Sequence, residues 1–178
     1  MPNQRESPVD PGARAAALVA CIGNELVADD AIGYEVYQRL RRMALPGETR
    51  VEFVGVGGLA LLDLLKGDER LLVTVDAVQL GAAAGTIHRL SWDELPAAAA
   101  CAVSVHGIGL RETVEIGRIL YPELIPPVIR LVGVEGRCFD RMRAAMTPAT
   151  AAAADGAAEA VRQLITTHEV QSDGYGTA

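Results

Sequence analysis

The chain has 178 residues, half of them apolar, and a formal net charge of −7. That length suits a single domain with a buried core, and that charge argues against nucleic acid as the main partner, because phosphate binding needs a basic face. No apolar stretch approaches the roughly 20 residues of a membrane span, and three widely spaced cysteines, Cys21, Cys101 and Cys138, fit a reducing cytosol better than a disulfide framework.

Residues 1–13 are polar and carry Pro and Gly, and they read as a disordered leader before one domain over residues 14–168. Ala15 to Ile22 reads as the first strand. Ile32, Val36, Leu40 and Met43 then place one apolar stripe on a helix that starts near Asp30 and stops at Leu45-Pro46-Gly47. Val51 to Val54 is a second strand, followed by Gly55-Val56-Gly57-Gly58 and a short apolar helix from Leu59 to Leu65. Leu71 to Val75 is a continuous apolar run of the kind that parallel sheets bury on both faces. Thr86 to Leu90 reads as an edge strand, and 92–96 as irregular. The stretch 97–105 is ambiguous between helix and strand. A helix from Gly109 to Tyr121, a last strand from Val128 to Val134, and an alanine-rich helix opened by Thr147-Pro148 complete the domain before a flexible tail, 169–178. Strands alternating with helices predict a three-layer αβα sandwich on a mostly parallel sheet.

The chemistry concentrates where strands turn into helices. Asp29-Asp30 follows the first strand and a Gly23-Asn24 turn, Asp76 ends the third, and Ser104-Val105-His106 precedes a later helix. Open α/β folds keep their sites at that edge, so Asp30, Asp76 and His106 are expected to converge there. Together they make an O, O, N donor set that suits nickel or zinc and leaves coordination positions open. Each also has a plain structural reading: Asp30 as a helix cap, Asp76 as an acceptor for loop amides, His106 as an ordinary histidine. The Gly55–Gly58 run is neither a dinucleotide fingerprint nor a phosphate loop. No G-x-S-x-G elbow is present. Cys21, inside the first strand, reads as a buried small hydrophobe. Glu25 reads as facing solvent, and His88 and His168 receive no role.

The ordered set Gly23-Asn24-x-Leu26-x-x-Asp29-Asp30-x-x-Gly33, Asp76-Ala77 with Gly85-Thr86, Ser104-x-His106-x-x-Gly109-Leu110 and Leu131-x-Gly133-Val134 resembles the hydrogenase maturation endopeptidases over roughly residues 15–165. The resemblance implies a phosphorylase/hydrolase-like αβα sandwich. It also implies an aspartyl-type endopeptidase that trims the C-terminal extension of a [NiFe]-hydrogenase large-subunit precursor. Asp30, Asp76 and His106 fall on the family's metal-contacting groups, and the nickel they meet is held by the precursor, so the free protein should hold metal only weakly. Two departures stand out. Cys21 replaces a usual glycine, and Gly55 and Gly58 occupy places where an acid and a threonine are common, in a loop associated with substrate recognition. Two other readings stay open on the residues alone: a non-catalytic nickel-sensing module for the same precursor, and a small metallohydrolase of unrelated substrate.

Overall fold

The computed structural model describes residues 16–56, 58–95 and 109–174. Five strands form one sheet: β1 (Ala16–Ile22), β2 (Thr49–Gly55), β3 (Glu69–Val78), β4 (Ile87–Ser91) and β5 (Val128–Glu135). Their order is β2-β1-β3-β5-β4; β4 alone runs antiparallel, on the outer edge of β5. The helices are α1 (Ile32–Leu40), α2 (Leu110–Leu120), α3 (Pro148–Ala152) and α4 (Ala154–Gly174).

The apolar runs dictate this layering. β3 is buried along nearly its whole length, with Leu72, Val73 and Val75 fully buried, so layers must cover both faces. Because side chains alternate along a strand, Val19, Cys21, Val73 and Val75 face one way, against α1 and α4. Leu18, Ala20 and Leu72 face the other way, against Leu61, Leu65 and Val114. The stripe Ile32, Val36 and Leu40 is buried as its spacing predicts. On α4, Ala154, Ala157, Ala158 and Ala160 are buried beside Val161 and Ile165. Alanine there lets the helix backbone lie close to the sheet, which is how a core poor in aromatics is filled.

Several details differ from the sequence reading. α1 ends at Leu40, not at Leu45, because Arg41, Arg42 and Met43 close tight turns back onto Tyr37, Arg39 and Leu40. The segment Gly58–Leu64 is a 3-10 helix. A second 3-10 turn, Trp92–Glu94, closes a capping box between Ser91 and Glu94 inside the stretch read as irregular. The final helix is two, α3 and α4, separated at Ala153, whose N–H turns back to the Thr150 carbonyl. The leader 1–13 and the ambiguous stretch 97–105 lie outside the described residues.

Gly33 sets how closely α1 can approach β1. A Cβ built there would stand 1.8 Å from the Ile22 carbonyl oxygen, a distance no side-chain shift can relieve. Gly33→Ala is expected to destabilise the protein by about 3 kcal/mol or more by pushing α1 off the sheet, read as a lowered urea midpoint with loss of soluble yield.

Candidate active site

From β1 the chain goes out to β2 on one side, and from β2 it crosses back to β3 on the other. The gap between the carboxyl ends of β1 and β3 is therefore the topological switch point, where open parallel sheets leave a crevice. Asp30 and Asp76 belong to the two strand ends that flank it.

Asp30 arrives there through a tight reversal. Gly23 has φ +141°, and a Cβ on it would lie 2.2 Å from the Asp30 carbonyl oxygen, so only glycine fits the conformation and the approach together. Asn24 steadies the turn, its Oδ1 accepting the Leu26 N–H at 3.0 Å. The chain then folds into a 3-10 helix, Ala28–Ala31, over the end of β1. Asp30 is 4% exposed, and its Oδ2 accepts the Asn24 N–H at 3.0 Å. Glu25 is exposed, as expected.

Asp29, its neighbour, is fully buried and turned to a different task. Its carboxylate accepts the N–H groups of Arg137 (2.7 Å), Cys138 (3.0 Å) and Thr147 (2.6 Å) and the Thr147 hydroxyl (3.1 Å). Burial pushes its pKa up, but those four donors outweigh burial and hold the carboxyl below the usual carboxylate range. Of the adjacent acids, one thus anchors a loop and the other stands at the crevice.

Asp76 is 5% exposed and lies one residue past Val75, the last β3 residue paired with β1. Its Oδ1 accepts the Ala77 N–H at 2.8 Å. By alternation it shares a face with Leu72 and Val78. Val78 packs in a cluster with Leu95, Leu131 and Leu110. His106 lies outside the described residues. Arg111 donates to the Leu95 carbonyl at 2.8 Å. Among the described residues no group of three His, Cys, Asp or Glu gathers to hold a metal; two carboxylates are there, and the expected nitrogen donor is not among those residues.

One buried acid at this edge escaped the sequence reading. Glu135 ends β5 and is 1% exposed. Its carboxylate accepts the N–H groups of Leu80 and Gly81 and lies 3.2 Å from His88 Nε2. It fixes the turn just beyond Asp76 and gives His88 a structural partner. The signal was present: like Asp76, Glu135 is a carboxylate closing an apolar strand. Cys21 is fully buried, and burial pushes its thiol far above the ordinary range, as suits an inert core residue. The cleft lined by Leu40, Met43, Thr49 and Val51 opens near the start of β2, at the opposite edge from the two acids.

Known proteins resemble this arrangement over most of the chain. A sequence profile of the family described as hydrogenase maturation protease matches residues 34–164. The hydrogenase expression/formation protein HupD of Rhodobacter capsulatus is 33% identical over 150 residues, spanning 83% of this chain and 70% of that protein. The hydrogenase 2 maturation protease of Escherichia coli is 30% identical over 118 residues, 66% of this chain and 71% of that one. The structure of the hydrogenase maturating endopeptidase HybD from E. coli aligns with a TM-score of 0.74 at 27% identity, covering 86% of this chain and 93% of the other. This chain, a five-stranded, mostly parallel αβα sandwich, accordingly belongs to the hydrogenase maturation protease family.

Proposed function

We propose that this protein removes the C-terminal extension of a nickel-loaded [NiFe]-hydrogenase large-subunit precursor in the cytosol, with Asp30, Asp76 and His106 meeting the precursor's nickel. The observation that carries the reading is the pair of buried carboxylates, Asp30 and Asp76, on the adjacent strand ends that flank the switch point. Burying an acid costs free energy unless a cation or donors meet it. Each of the two accepts a backbone N–H, and the nickel of the arriving precursor would add a cationic partner.

Two anionic oxygens and one imidazole nitrogen suit a borderline divalent ion and leave its remaining positions to the precursor's own ligands. A precursor without nickel offers the acids nothing to hold, so loaded and empty substrates differ in affinity for the same surface, and that difference makes a checkpoint selective. Hydrolysis of the scissile peptide bond takes up one water and leaves a new carboxylate and a free amine. The two acids are the groups at hand to orient that water and accept its proton.

The test is incubation with the precursor, nickel-loaded and nickel-free, followed by mass spectrometry. A short C-terminal peptide should be released from the loaded form only. His106→Ala should abolish release by removing the sole nitrogen donor; normal processing by that variant would show that the histidine is structural and this mechanism wrong.

A further inference from the structure

The connection from β5 to α3 crosses the segment that carries Asp30. It is pinned at both ends by the buried Asp29 carboxylate, through Arg137 and Cys138 on one side and Thr147 on the other. Between these anchors its backbone is stitched to the Leu26–Asp29 stretch: the Arg143 N–H donates to the Leu26 carbonyl, the Ala28 N–H to the Arg141 carbonyl, and the Asp29 N–H to the Cys138 carbonyl, with Val27 and Met142 bridged antiparallel. Arg143 has φ +55°, the only positive value at a non-glycine among the described residues. The loop is thus a fixed ledge beside the crevice, not a slack linker.

Its side chains point to a use. Residues 137–143 hold three arginines and one aspartate, in a chain with 23 acidic and 16 basic residues. Arg137, Arg141 and Arg143 are all exposed, and Met142 between the last two is 66% exposed. Several arginines elsewhere are paired with carboxylates: Arg39 with Glu35 and Asp155, Arg50 with Glu69, Arg162 with Glu159. Arg137 donates to the Ala82 carbonyl, whereas Arg141 and Arg143 meet no carboxylate among the described residues. Two uncommitted guanidinium groups on a rigid ledge cost little ordering on binding, and guanidinium is the group that pairs planar carboxylates bidentately.

We propose that this arginine-bearing ledge docks an acidic segment of the hydrogenase precursor, next to the acids that act on it. The inference rests on the processing role proposed above. A body of net charge −7 repels an acidic partner at large, so a local cationic ledge would set both the approach and the register of the chain entering the crevice.

The experiment compares the parent with the double variant R141E/R143E, and with Arg42→Glu, a charge reversal at the far end of α1 and hence at the opposite sheet edge. Affinity for the nickel-free precursor, which is not turned over, is measured across a salt series, and KM and kcat are measured on the loaded precursor. The double variant should bind on the order of tenfold more weakly at low salt, converge on the parent at high salt, and keep its kcat. A hexaglutamate peptide should compete with the precursor for the parent and not for the double variant. Unchanged affinity and KM in the double variant, or an equal loss in Arg42→Glu, would overturn the proposal. Salt-sensitive binding without any cleavage of the loaded precursor would sink the processing role and leave the ledge standing. Cleavage with no charge dependence would do the reverse.

Discussion

Asp76→Asn is expected to lower kcat/KM for the nickel-loaded precursor by on the order of a hundredfold or more, the span that positioned acid/base and charge-stabilising groups supply. The same change should leave stability within about 1 kcal/mol of the parent. The two effects separate because the substitution is isosteric. The Oδ1 of asparagine can still accept the Ala77 N–H that Asp76 now binds, so the local backbone keeps its partner while the site loses a negative charge. Asp30→Asn should behave alike, with the Asn24 N–H retained. Single-turnover processing and thermal melts on the same preparations check the pair. Parental processing rates in both variants would mean that the two carboxylates only anchor loops, and the proposed role would have to be given up.

Asp29→Ala should do the opposite of Asp76→Asn, striking the fold first. It strands three part-buried backbone N–H groups, those of Arg137, Cys138 and Thr147. Each unsatisfied donor costs about 1–3 kcal/mol before relaxation, so a net loss of about 3 kcal/mol or more is expected, enough to loosen the whole β5–α3 connection. The pH dependence has a definite sign. The folded-state pKa of Asp29 lies below its ordinary value of 3.8, so the carboxylate's contribution is complete above about pH 4 and drains away as pH falls through the folded value. Urea midpoints between pH 7 and pH 3 should therefore fall toward acid in the parent, and fall less steeply in Asp29→Asn, which has no proton to take up there. Identical acid slopes would show that another group governs the decline. A shallower slope in Asp29→Asn, beside a processing loss in Asp30→Asn, would show adjacent acids serving stability and chemistry separately.

What was legible in the sequence was what local pattern encodes. The apolar runs of β1, β3 and β5, the 4-4 spacing of Ile32, Val36 and Leu40, and the glycine of the Gly23-Asn24 turn all act over a few residues, and each led to the correct kind of element. A carboxylate at the end of a buried strand is likewise a local signal, and it led to Asp30 and Asp76, though the same signal at Glu135 went unread. Only the tertiary structure decided what Asp29 does, because its partners lie 108 to 118 residues away. It also decided the strand order β2-β1-β3-β5-β4 and the reversed direction of β4. Hydropathy reports which residues seek burial and at what period; it carries no record of which strand lies beside which. That pairing is settled when the layers close over the sheet, and with it the crevice between the carboxyl ends of β1 and β3.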